Sequence, residues 1–152
     1  MKEALVLSDY KALAELRHQI RKFVSFSERA SRAAGLEPRQ HQLMLALKGL
    51  PSGTRPRIRE LAERLQLQHH STVELVNRLV RRGLVRRSRA GEDRREVLLA
   101  LTPKGERVLQ RLSQHHRTEL RSQGPVLVAA LNSVMQSMNG SALSKKKPTP
   151  RD

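Results

Sequence analysis

At 152 residues the chain has the length of one domain, or of one domain with the arms it uses to pair, and two large independent domains are excluded. Thirty Lys plus Arg against fourteen Asp plus Glu leave a formal charge of +16; twenty-two of the thirty are Arg, so a polyanion is the default partner and the guanidinium fork favours phosphate and base-edge contacts. The absence of Cys excludes disulfides, thiol sensing, a Cys nucleophile and a thiolate metal site, and with Tyr10, Phe23 and Phe26 the only aromatic residues the core must be aliphatic.

In chain order, residues 9–34 place Leu13, Leu16, Ile20, Phe23 and Ala30 on one face of a long first helix that stops at Gly35. Glu37-Pro38 starts a second helix with Leu43, Met44 and Leu47 inward, closed by Gly49 and the loop Pro51-Ser52-Gly53. Residues 54–57 alternate with Pro and Arg and make at most a short strand. Residues 58–66 form a third, short helix with Ile58, Leu61, Ala62 and Leu65 inward. After a break at 66–70, a fourth helix runs to about Arg82, with Ser71-Thr72-Val73-Glu74 reading as a capping box near its start and Gly83 as its terminator.

The period then changes to two. Residues 85–88, a turn over 89–94 and residues 95–101 read as a hairpin with a very basic tip. Thr102-Pro103 starts a fifth helix, Gly124-Pro125 punctuates it, and Leu127, Leu131, Val134 and Met138 mark a sixth. Residues 139–152 turn to Ser, Lys, Pro and Gly and are expected to be a disordered basic tail. The opening apolar run is too short for a secretory signal, and no stretch approaches the roughly 20 apolar residues of a membrane span. A soluble, cytoplasmic protein with no membrane partner is therefore expected.

Two short helices, a tight turn and a basic hairpin make a winged helix-turn-helix, so the fold class is mainly α (α+β), a lobe over 38–101 within a single domain, 1–138. An α-helix fits the B-DNA major groove and presents a few side chains to base edges. With Leu75, Val76 and Leu79 inward, the outward set is His69, His70, Ser71, Val73, Glu74, Asn77 and Arg78, with Arg81 and Arg82 further along toward the backbone. Arg86, Arg87 and Arg89 at the hairpin base are candidates for phosphate contacts, which position without reading sequence. Residues 55–95 hold twelve Arg and five acids, a local excess of +7 that coincides with these two elements.

The runs Ile58-Arg59-Glu60-Leu61-Ala62, Leu75-Val76-Asn77-Arg78-Leu79, Arg82-Gly83-Leu84-Val85-Arg86-Arg87, Asp93-Arg94-Arg95 and Leu101-Thr102-Pro103-Lys104-Gly105 resemble the MarR family of winged-helix transcription regulators, over roughly residues 9–138. The resemblance implies a homodimer whose first, fifth and sixth helices (9–34 and 103–138) interlock. It implies binding to a pseudo-palindromic operator in double-stranded DNA, often as a repressor, with release when a small anionic or phenolic effector enters between lobe and dimerisation helices. It also assigns Arg95 to the minor groove and Asp93 to holding the wing, with Arg94 a neighbouring candidate. The dimer has separate support, since the terminal helices are apolar-striped and flank a lobe too small to cover them.

Several residues admit plainer roles. His69 and His70 read as base readers, a metal pair or plain surface; adjacent His do not share a helix face, and no metal or other cofactor is expected. His116 and Glu119 are helically adjacent but offer no third ligand. Phe23, Phe26 and His41 are the candidates for an effector cavity, His41 having packing as its simpler explanation. Glu74 either pairs with Arg78 four residues on or accepts from a cytosine amino group. No Ser/His/Asp order, Gly-rich phosphate loop or carboxylate pair supports catalysis. The alternatives are a nonspecific nucleoid-type DNA-binding protein and an RNA-associated winged-helix assembly module, the latter wanting exposed aromatics that the chain hardly has.

Overall fold

The computed structural model describes residues 4–89 and 95–143, with side chains to 138. Its elements are α1 (Leu7–Ala33), α2 (Pro38–Lys48), α3 (Ile58–Leu65), α4 (His69–Arg81), β1 (Val85–Arg89), β2 (Val97–Leu101) and α5 (Pro103–Leu143). They form two compact units: Ser27–His115, and the described part of Met1–Phe26 with His116–Asp152.

Within Ser27–His115 the core is aliphatic, as the composition requires: Leu36, Leu43, Met44, Leu61, Val76, Leu79, Leu84, Val85 and Leu99 are buried. Local chemistry sets each boundary. Gly35, at φ +74, lets the chain leave α1, and the Leu36 amide returns to the Ser31 carbonyl at 2.9 Å. At the start of α2, Gln40 Oε1 accepts the Glu37 amide at 3.1 Å. Gln66, in the left-handed region at φ 54, ends α3, and Gly83, at φ +66, lets Leu84 donate to the Leu79 carbonyl at 3.0 Å.

The strands β1 and β2 pair antiparallel, with Val85 opposite Leu101, Arg87 opposite Leu99 and Arg89 opposite Val97. Residues 54–57 are not a strand. They meet β2 through a single backbone bond, Leu99 N to Pro56 O at 2.8 Å.

Residues 139–143, expected as tail, are the helical end of α5, and 144–152 lie outside the described residues; two further sequence expectations need correction. Helix α4 starts at His69 with Gln68 as N-cap, so Ser71-Thr72-Val73-Glu74 lies inside the helix and is not a capping box. The reason is Thr72: fully buried, it continues the inward face of Leu75, Val76 and Leu79 one turn earlier, and its hydroxyl donates to the Gln68 carbonyl at 3.1 Å.

The second correction concerns Gly124-Pro125, which does not separate two helices: α5 runs through Pro125 for 41 residues. In the unit that contains it, α5 meets α1 on both sides of the proline. Lys22 Nζ donates to Gln123 Oε1 at 3.4 Å, and Leu13 lies with Val134 and Met138 around one groove. Contacts on both flanks hold one axis through a residue that lacks its own amide donor. The described residues thus contain five helices, not six. None of these helices is long and apolar enough to cross a membrane.

Candidate nucleic-acid interface

Helix α4 buries Thr72, Leu75, Val76 and Leu79 and directs the opposite face outward. His70, Glu74, Asn77 and Arg81 follow one another at steps of four, three and four, which stacks them along that face. His69 and Arg78 are exposed beside it, and Ser71 and Val73 are half-buried at its edges. On the α2 side Arg39 joins Ser71, Glu74 and Arg78 around a shallow groove, a contribution the sequence did not suggest. The Arg78 guanidinium approaches the Glu74 carboxylate to 3.9 Å across an exposed i, i+4 pair, a weak interaction worth about 0.3–0.5 kcal/mol.

Three expected DNA contacts, Asn77, Arg87 and Arg82, are hydrogen-bonded to protein. Asn77 Oδ1 accepts a short hydrogen bond, 2.5 Å, from Arg87 Nη2, which links the outward face of α4 to β1. Among the described residues no acceptor takes the two N–H donors of the Asn77 side-chain amide. Arg82 donates through Nη1 to Gln40 Oε1 at 3.0 Å, while its backbone carbonyl accepts from Lys104 Nζ at 3.1 Å. Gln40 is buried, so Arg82 joins the end of α4 to the start of α2.

On the wing, Arg86, Arg87 and Arg89 are exposed on β1, and Arg95 is exposed just before β2. Asp93 and Arg94 lie outside the described residues. The base of the wing carries an ion-pair network that sequence reasoning missed. Glu96, only 12% exposed, receives Arg55 at 2.7 Å and Arg57 at 3.2 Å, and Arg57 also reaches Glu60 at 3.2 Å. Arg55 and Arg57 belong to the cationic cluster by position, yet they are paired. A separation of about forty residues along the chain hides such a pair from any local pattern.

The candidate effector residues divide between the two units. Phe23 and Phe26 each meet the His116 ring edge-on, at centroid distances of 6.0 and 5.7 Å. The sequence suggests only a helical spacing between His116 and Glu119, and these ring contacts are additional to it. His41 belongs to the other unit and is buried at 3% exposure. Among the described residues no group of three or more His, Asp or Glu is placed to hold a metal ion.

Comparison with known proteins adds a family. The MarR family model matches residues 34–96. AbsC, a MarR family transcriptional regulator from Streptomyces coelicolor, is 19% identical and superposes with a TM-score of 0.69 over 95% of this chain and 100% of that one. An S. aureus MepR mutant bound to an oligodeoxyribonucleotide is 17% identical, with a TM-score of 0.61 over 91% and 98%. The PcaV transcriptional regulator from Streptomyces coelicolor, in complex with its natural ligand, is 30% identical, with a TM-score of 0.50 over 72% and 75%. No curated protein matches the chain.

Proposed function

The chain belongs to the MarR family of transcriptional regulators, and from that premise we propose that it is a homodimeric, sequence-specific DNA-binding protein that acts as a cytoplasmic repressor. The observation that carries the reading is the outward face of α4, where His70, Glu74, Asn77 and Arg81 are aligned beside a hairpin bearing Arg86, Arg87 and Arg89. In the proposed complex α4 enters the major groove, with His69, Ser71, Val73 and Arg78 at its margins. Arg86, Arg87 and Arg89 meet phosphates, while Arg95 reaches the minor groove, with Arg94 a neighbouring candidate for that contact and Asp93 assigned to holding the wing.

Apolar surface supports the dimer. Leu13 and Ile20 of α1, on its apolar stripe, are 43% and 40% exposed, and Leu131, Met135 and Met138 of α5 are 48%, 51% and 63% exposed. A second copy would cover this surface, and a two-fold dimer calls for a pseudo-palindromic operator. Release by a small anionic or phenolic effector is part of the proposal, with the rings of Phe23 and Phe26, to both of which His116 is edge-on, as its candidate aromatic contacts.

Fluorescence anisotropy tests the reading, with DNA from upstream of the protein's own coding sequence against a shuffled duplex at about 150 mM salt. A preference of about a thousandfold is expected for a specific regulator. Equal affinity for both duplexes, repeated with sites selected from random DNA, would overturn it.

A further inference from the structure

The ion pairs at the wing base assign a task to a residue that has no place in a DNA-contact list. Glu96 is the residue immediately before β2, and its two carboxylate oxygens divide between two arginines: Oε2 takes Arg55 and Oε1 takes Arg57. Arg57 is also the N-cap residue of α3, and its second contact is Glu60 in the first turn of that helix. One residue apart from both arginines, the Pro56 carbonyl accepts the Leu99 amide of β2. The loop 54–57 is therefore fastened to the wing by three consecutive residues, two through Glu96 and one through backbone. Glu96 is 12% exposed, which screens these pairs less than the surface pairs elsewhere in the chain.

We propose that Glu96 is a positioning residue for DNA binding: it clamps the loop 54–57 to β2 and so fixes the wing relative to α3. The inference rests on the DNA-binding reading above. Its electrostatic sign makes it testable. An acid beside a cluster of arginines opposes a polyanion, so removing its charge strengthens DNA binding if Glu96 has no other role. A clamp gives the opposite sign, because an unfastened wing pays ordering entropy when it docks and leaves Arg55 and Arg57 in new places.

Three proteins decide the matter: wild type, Glu96→Gln and Glu96→Asp, each assayed for hydrogen exchange at the Leu99 amide without DNA and for binding to the selected operator. For Glu96→Gln the expected results are exchange at Leu99 faster by about tenfold, with protection in α2 unchanged, and operator affinity lower by about tenfold. Glu96→Asp keeps the charge and restores most of both. Unchanged exchange in Glu96→Gln overturns the clamp whatever the DNA result. Faster exchange with equal or tighter operator binding overturns the positioning role. A wild-type protein with no operator preference overturns the DNA reading instead, and the exchange data still decide whether the clamp exists.

Discussion

Gly105 lies so close to Leu84 that a Cβ at position 105 would sit well inside van der Waals contact with the Leu84 carbonyl oxygen, a backbone atom that cannot swing away. The seam is built by Thr102, whose hydroxyl donates to the Gly83 carbonyl at 2.6 Å and accepts the Gly105 amide at 3.0 Å, while the Thr102 amide donates to Leu84 O at 3.1 Å. The end of α4, the start of β1 and the start of α5 thus meet backbone to backbone. Replacing Gly105 with Ala is expected to cost about 1–3 kcal/mol through overpacking, read as a lower midpoint in urea with an unchanged m-value. An unchanged midpoint would show that the seam yields freely.

The same seam shows what was legible in the sequence. Leu101-Thr102-Pro103-Lys104-Gly105 announces a helix start, because an N-cap hydroxyl and a proline at N1 are local chemistry, and α5 does start at Pro103. Gly83 and Gly35 were readable as terminators for the same reason, and the inward faces of α2, α3 and α4 follow from spacing alone. What escaped depends on partners distant in sequence. Thr72 extends α4 by a turn because the core accepts a back-bonded threonine; Pro125 is overridden by contacts on both of its flanks; Glu96 lies about forty residues from its arginines. Within the candidate interface, the exposure of His69, His70, Glu74, Arg78, Arg81 and Arg82 was legible, whereas the half-burial of Ser71, Val73 and Asn77 was not, nor was the attachment of Asn77 to Arg87 and of Arg82 to Gln40, since each joins two elements.

Pro125 is exposed and removes one donor from the middle of α5, leaving the Arg121 carbonyl without its helical partner. The continuity of the helix therefore comes from packing, against the residue's own propensity. Pro125→Ala should restore the bond and raise stability, by about 1–3 kcal/mol, in thermal or urea unfolding at fixed protein concentration. A lower midpoint would mean that the backbone geometry imposed by proline is needed for what α5 packs against.

The hydrogen bond between Asn77 and Arg87 couples the candidate reading face to the wing strand. If both residues served DNA independently, the losses in operator affinity from Asn77→Ala and Arg87→Ala would add. Coupling predicts a shortfall in the double variant of about 0.5–3 kcal/mol relative to the sum, measured in a double-mutant cycle by operator titration. Strict additivity would mean that the bond is absent when DNA is bound.

Arg81 and Arg82 are neighbours in sequence with different surroundings, and salt separates their roles. Arg81 stands on the outward face of α4, whereas the Arg82 guanidinium is directed to buried Gln40. Each phosphate neutralised by a side chain contributes about 0.9 to the slope of log affinity against log salt. Arg81→Ala should therefore make that slope shallower by about one and leave unfolding nearly unchanged. Arg82→Ala should leave the slope intact and lower stability by about 1–3 kcal/mol, because Gln40 Oε1 loses its charged donor and the joint between α4 and α2 opens. Equal slopes for Arg81→Ala and wild type would remove Arg81 from the phosphate contacts, and a shallower slope for Arg82→Ala would place its guanidinium on DNA in the complex.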